Sequence, residues 1–545
     1  MEKQKGRLDK PSMFISLFLL GVLVVATIIA PVATTKFLDD ARIRAVDMLG
    51  FYFLLELLFC LGFNLWLAFS KYGSIKMGKD KPDYSVFSWI AMMFCAAMGT
   101  SILYWSAIEW VYYLQWPPFG YAAMSPEAME VSVAYSFFHW GFSAWSVYAV
   151  GAVTLAYRYY LRKKPDLTLQ AACEGALGNR IFGKLGTVIN IVFIFGILGG
   201  LTITYGTGIP MLTNNLANLA GSPENFTVYA LMIVVVTATF ATSTFIGLAR
   251  GMQFISRVTT WCCGALCAVF LVLVCPGFIL DNFVQTMGIL FDRFITMSTY
   301  LDPIRGSGFP QGWTCFYWAW WICLAPWMWV FIAKVSKGRS IKAIVAAVTL
   351  SGSFGSFLFF GTISSYGINR YLAGALSVIE IMAQRGANQV ISEVSLSLPG
   401  GKLVLALWLL TGFCLLVTTM DSAAYSLAAA VTKRLSPTED PPKQLRLCWA
   451  ILLSVSPLCL MYAGQFIEGG VPLGGLQAVL ILTGIPVSLT VFLAMHSIWK
   501  WLREDFGHKT RDEIAREFME PEKLAALDAR RAADVPVSDA RPFEI

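Results

Sequence analysis

Residues 308–321 read Gly308-Phe309-Pro310-Gln311-Gly312-Trp313-Thr314-Cys315-Phe316-Tyr317-Trp318-Ala319-Trp320-Trp321, and no charged residue follows until Lys334. A neutral, largely apolar run of that length is enough to cross the hydrocarbon core of a bilayer, which takes roughly 20 residues. Tryptophan normally collects at the two membrane–water interfaces. Here Trp318, Trp320 and Trp321, extended by Trp327 and Trp329, fall inside the span. A second segment, Phe138-His139-Trp140-Gly141-Phe142-Ser143-Ala144-Trp145-Ser146-Val147-Tyr148, repeats the pattern.

The rest of the chain is of the same kind. Of its 545 residues, 57% are hydrophobic and 14% charged, with a mean hydropathy of +0.63. A soluble domain has about a quarter of its residues charged, so much of this surface must face lipid. The short alternating segments of an outer-membrane barrel are not found. Twelve spans of sufficient length are expected, near 13–34, 47–70, 87–115, 131–157, 185–208, 227–248, 258–280, 313–333, 342–366, 402–431, 446–464 and 475–499. The chain therefore reads as an all-α, polytopic membrane protein whose first apolar segment is a retained span and not a cleaved signal peptide.

Charge orients it. Lys71, Lys76, Lys79 and Lys81, then Arg158, Arg162, Lys163 and Lys164, Arg250 and Arg257, Lys334, Lys337, Arg339 and Lys342, and finally Lys433, Arg434, Lys443 and Arg446 fall on one set of connections. The opposite set includes 115–128, 214–225 and 463–475, without Lys or Arg. The positive-inside rule puts the first set and both termini in the cytoplasm, hence in an inner membrane. The segments 35–46, 281–312 and 367–401 are then expected as external loops, mild exceptions to the rule with Lys36, Arg42, Arg44, Arg293, Arg305, Arg370 and Arg385, and 508–533 as a solvated, charged tail. The net charge of +7 is a matter of topology and implies no nucleic acid. Twelve cysteines scattered through apolar segments read as packing residues, and no cofactor is expected.

With three histidines (His139, His496, His508), hydrolytic triads and metal sites are poorly supplied. Acidic residues inside spans are few: Glu56, Glu109 and Asp421. Such residues mark function in a membrane, although Glu109 and Asp421 can equally pair with neighbouring polar groups. The aromatic groups are the stronger signal. On one continuous helix Trp140 and Trp145 stand about 140° apart, while the adjacent Trp320 and Trp321 splay by about 100°. Two such groups on facing helices form a box of ring faces. These attract a fixed positive charge that has no N–H to donate, as in quaternary ammonium. The alternative is that the rings only fill volume. Cys95-Ala96-Ala97-Met98-Gly99-Thr100-Ser101 adds a run of small residues that permits close helix approach or a local break.

At these residues the sequence resembles the betaine/carnitine/choline transporter (BCCT) family. The resemblance lies in 308–321 with Ala333-Lys334-Val335-Ser336-Lys337-Gly338-Arg339-Ser340, in Phe138 to Tyr148, in Ile108-Glu109 and in Asp421-Ser422-Ala423, all in family order. It implies two accessory helices (13–84) ahead of two inverted five-helix repeats (85–310 and 311–501), the leucine-transporter-like fold. A cytoplasmic N-terminus (1–12) and tail (502–545) flank them, and a homotrimer is implied. The substrate box would be Trp140, Trp145, Tyr148, Trp320 and Trp321, with Tyr112 nearby. Met328, Pro117-Pro118-Phe119-Gly120 and Asp302-Pro303-Ile304 are most similar to the carnitine/γ-butyrobetaine exchangers. Coupling is mixed. Sodium-coupled members have three glycines where this chain has Ala97, Gly99 and Ser101, yet their hydroxyl pair aligns with Thr418 and Thr419. Sodium-independent exchangers carry an arginine where Gln253 stands. Sodium-coupled uptake is the expectation, with substrate exchange or proton symport as alternatives. A non-transporting betaine osmosensor and a membrane enzyme are the competitors of other classes. The enzyme lacks a His pair or paired carboxylates beside the box.

Overall fold

The computed structural model describes residues 7–164, 166–246, 251–433, 440–466, 473–519 and 524–525. It is helical almost throughout. We number the main helices α1 (Lys10–Ile29), α2 (Pro31–Phe69), α3 (Val86–Ala97), α4 (Ser101–Gln115), α5 (Pro126–His139), α6 (Phe142–Tyr160), α7 (Lys184–Ala220), α8 (Phe226–Ile246) and α9 (Gly251–Leu273). The series continues with α10 (Pro276–Thr299), α11 (Pro310–Val335), α12 (Ile341–Leu372), α13 (Val378–Arg385), α14 (Ala387–Leu396), α15 (Gly401–Ala430), α16 (Lys443–Gly464) and α17 (Leu473–Phe506). The strand content among the described residues is one antiparallel pair, Arg7–Leu8 with Thr432–Lys433.

Among the described residues nine helices are long and apolar enough to cross a bilayer, and α9 with α10 forms a bent pair that would make a tenth. The other two expected spans are each divided. The first, 87–115, breaks at Met98–Thr100 between α3 and α4, as the small residues there allow. The second, 131–157, breaks at Trp140–Gly141 between α5 and α6, where one helix was expected. Gly141 explains the second break. A Cβ there would meet the Phe137 carbonyl oxygen at 2.4 Å and the Phe357 ring at 3.0 Å.

Two expected loops are corrected. Residues 35–46 continue helically into α2, whose 39 residues span about 58 Å, because no proline follows Pro31 to stop them. Residues 281–299 are helical too. They belong to α10, which begins at Pro276 and turns 109° from α9. Leu280, Val284, Phe291 and Ile295 share one exposed stripe of α10, while Ile279, Leu290 and Met297 are buried, the pattern of a helix lying against protein on one side.

The interior is α6 and α11 packed against each other, with α2, α7 and α17 around them. This packing relies on missing side chains. A Cβ at Gly151 of α6 would stand 1.9 Å from the Trp329 ring, whose Nε1 donates to the Val147 carbonyl at 2.8 Å. At Gly62 of α2 nothing lies within 4 Å. Gly151→Val is expected to destabilise the protein by about 1–3 kcal/mol or more through overpacking. Thermal unfolding in detergent checks this, with Gly62→Ala as the substitution that should leave the transition near its original place.

Candidate substrate and ion site

The break between α5 and α6 turns Trp140 and Trp145 towards the same partner on α11. Trp321 stands 5.8 Å from Trp140 (interplanar 81°), 5.5 Å from Trp145 (54°) and 5.1 Å from Tyr148 (49°), centroid to centroid. Trp320 meets Trp140 edge-on at 5.7 Å, stacks on Phe316 and donates its Nε1 to the Gly200 carbonyl of α7 at 3.0 Å. All five rings are 5% exposed or less. The structure thus joins every member of the expected box. It does so across a helix break and not along one helix. Tyr112 belongs to an adjoining group, 5.2 Å from Trp313 and 6.2 Å from Trp105. Met328 is fully buried two turns beyond Trp321 on α11.

One ring donor is left over. Trp140 Nε1 donates to Glu109 Oε2 at 3.1 Å and Trp145 Nε1 to Ser356 Oγ at 3.3 Å. Trp321 Nε1 is buried with no acceptor.

Behind Trp140 lies a polar group that sequence reasoning only half found. Glu109 of α4, fully buried, accepts at Oε2 from both Trp140 Nε1 and the Tyr317 hydroxyl. Its Oε1 stands 3.8 Å from His139 Nδ1. His139 in turn pairs with the Tyr113 hydroxyl at 2.8 Å and the Thr314 hydroxyl at 3.0 Å. Glu109 was legible as an intramembrane acid. His139 lies within the aromatic motif but has no signal of its own, because its partners come from two other helices, α4 and α11. Asp421 takes the pairing role open to it and accepts from the Ser243 hydroxyl at 2.7 Å and from that of Thr244. Glu56 lies apart on α2, buried with both oxygens unpartnered.

Of the expected ion residues, Gly99 and Thr419 meet. The chain leaves helical geometry at Met98 (φ −93°, ψ 103°), and Gly99 then faces α7 and α15. A Cβ on Gly99 would stand 3.0 Å from Thr204 Cγ2 and 3.4 Å from Thr419 Oγ1. Thr418 donates to the Cys414 carbonyl at 2.8 Å, an ordinary helical back-bond, whereas Thr419 Oγ1 is buried without a hydrogen-bond partner. Ser101 Oγ is likewise unpartnered, and Thr100 Oγ1 donates to the Thr204 carbonyl at 3.4 Å. Ala97 is half-buried at the end of α3. The side chain of Gln253 lies outside the described residues.

A broken-helix membrane protein with an enclosed aromatic cluster beside unpartnered hydroxyls is built as a small-solute transporter is built. The comparisons give the family. Residues 11–507 match the model of the BCCT, betaine/carnitine/choline family transporter. A carnitine transporter of Acinetobacter baumannii is 35% identical over 82% of this chain and 80% of its own length. An uncharacterized transporter, YeaV, of Escherichia coli is 35% identical over 83% and 92% respectively. The glycine betaine transporter OpuD of Bacillus subtilis is 29% identical over 88% and 91%. The chain belongs to the betaine/carnitine/choline transporter family. It is a multi-pass membrane transporter of betaine/carnitine-type solutes, and not an enzyme.

Glu109→Ala orphans the Trp140 and Tyr317 donors, and each buried orphan costs about 1–3 kcal/mol. Expected outcomes are a lowered thermal transition in detergent and a smaller loss for Glu109→Gln, whose amide oxygen still accepts.

Proposed function

We propose that the chain takes up a trimethylammonium solute that also carries a carboxylate, of the carnitine or betaine kind, by sodium-coupled alternating access. The observation that carries this reading is the convergence of Trp140, Trp145 and Tyr148 on Trp321, with Trp320 edge-on to Trp140. Ring faces hold a quaternary ammonium through the ring quadrupole without hydrogen bonds, worth about 2 kcal/mol when desolvated. The unpartnered Trp321 Nε1 supports the carboxylate, since it is the one indole N–H of the box left free for a substrate oxygen. Met328, one face along α11, is the expected neighbour of the solute's far end, and Tyr112 with Trp313 forms the approach to it.

Sodium would sit at the α3–α4 break. Thr418 and Thr419 supply hydroxyl oxygens, and Ala97 and Gly99 supply backbone carbonyls, hard ligands of the type a sodium ion takes. The unpartnered Thr419 oxygen beside Gly99 supports this assignment. Two inverted repeats, at 85–310 and 311–501 behind two accessory helices, are part of this reading. The basic loops favour both termini in the cytoplasm of an inner membrane, and the protein would assemble as a homotrimer.

Uptake of labelled carnitine and betaine into proteoliposomes tests this, with and without a sodium gradient and with empty or preloaded vesicles. Sodium-dependent uptake into empty vesicles is expected, and Thr419→Ala should lower apparent sodium affinity more than solute affinity. Uptake that needs an internal partner solute and ignores sodium would establish exchange instead, and saturable binding without flux would make the chain a sensor. Trp321→Leu should weaken solute binding by about 30-fold, the equivalent of about 2 kcal/mol, while folded protein remains in the membrane. Unchanged binding in that variant would sink the box.

A further inference from the structure

A cavity of about 160 Å³ lies between α9, α12 and α15 and reaches inward to the α3–α4 break. Its floor is Phe94, Met98, Ile102 and Leu415, of which the last three are 1% exposed. Its mouth, at Gly264 and Leu358, is on the outer surface: Leu358 is 44% exposed, and a Cβ on Gly264 would meet nothing within 4 Å. The walls stand near the middle of their helices. Cys263 and Gly264 are halfway along α9, Leu358 halfway along α12 and Leu415 halfway along α15. The mouth therefore opens at the depth of the bilayer centre, where the surrounding fluid is hydrocarbon.

We infer that this cavity is a binding site for a lipid acyl chain. An apolar cavity of about 150 Å³ can stay dry and admit a molecule the size of benzene, so a bent run of one chain fits this one. Polar headgroups do not reach this depth, which makes the occupant a chain and not a headgroup. The site has a physical line to the transport machinery. Phe94 stacks on Trp145 of the box at 6.0 Å and 14°, and Gly355 admits it, since a Cβ there would stand 2.3 Å from the Phe94 ring. Met98 is the first residue of the helix break, and Leu415 is one turn before Thr419 on α15. A chain in the cavity thus touches the residues that back the box and the candidate ion site. That last link rests on the proposed function, whereas occupancy itself does not.

The test is photolabelling of the full-length protein in vesicles of phosphatidylcholine, with a fraction of the lipid carrying a diazirine midway along one acyl chain. Peptides containing Phe94–Ile102, Thr260–Cys267 or Gly355–Phe359 should label several-fold above the lipid-facing α1. Gly264→Leu, whose Cβ enters open space at the mouth, should abolish that excess and leave α1 labelling unchanged. Gly264→Val does the same in smaller measure if the larger side chain impairs folding, which size-exclusion chromatography reports. Labelling at these peptides no higher than at α1, or an excess that survives both substitutions, overturns the acyl-chain site. Excess labelling in a protein that fails the uptake test would leave the cavity assignment standing and the transport reading refuted.

Discussion

In hydrocarbon there is no water to satisfy an exposed amide or carbonyl, and each one left unpaired costs several kcal/mol. Every feature of this chain is arranged around that constraint. Most of the sequence meets it with unbroken helix. Where the helix is interrupted, the free backbone must be buried against protein, and both divided spans are. Beside the break at Met98–Thr100, Thr100 caps the Thr204 carbonyl of α7, and the lack of a side chain at Gly208 makes room for Thr100, whose Oγ1 would be 2.5 Å from a Cβ there. The break at Trp140–Gly141 keeps its own amides paired, Trp140 N–H to the Ser136 carbonyl and Gly141 N–H to that of Phe138. The two interruptions that divide a span thus lie where the aromatic and hydroxyl clusters are.

The same scarcity of water makes Glu109 the organising side chain of the aromatic region. A buried acid is costly unless hydrogen bonds replace its hydration. Two donors do so here, and each belongs to a different helix: Trp140 at the end of α5 and Tyr317 on α11. His139 is held close by Tyr113 and Thr314. The orientation of the Trp140 ring is therefore fixed from behind, by α4, before any contact with Trp321 is counted. The rings forming the front of the cluster need no such support, since aromatic pairs in edge or tilted contact stabilise one another by about 0.5–1.5 kcal/mol.

Much of this was legible in the sequence because bilayer thickness and aromatic chemistry leave plain marks. The spans follow from apolar length, and the members of the aromatic cluster from tryptophans displaced out of the interfaces. What escaped depends on contacts between distant segments. Gly141 looks like any membrane glycine until the Phe357 ring is placed beside it. His139 acquires meaning only with Tyr113 and Thr314. The helical character of 281–299 was legible in principle, since Leu280, Val284, Phe291 and Ile295 recur at helical spacing. The basic residue Arg293 and a strict reading of loops between spans obscured it. In α2, residues 35–46 carry enough charge to resemble a loop, yet nothing in them breaks a helix.

The two clusters are not independent, because both lean on one wall. Trp320 donates to the carbonyl of Gly200, and the lack of a side chain at Gly200 leaves room for Leu324 of α11, which would stand 2.6 Å from a Cβ there. One turn further along α7, Thr204 packs on Gly99 and accepts from Thr100. One turn is about 5.4 Å. A shift of α7 by a fraction of that distance relative to α11 would disturb the Trp320 bond, and relative to the α3–α4 break it would open or close the space beside Thr419. Close-packed interfaces switch between discrete arrangements more readily than they deform continuously. Residues 200–208 of α7 therefore touch both the rings and the hydroxyls.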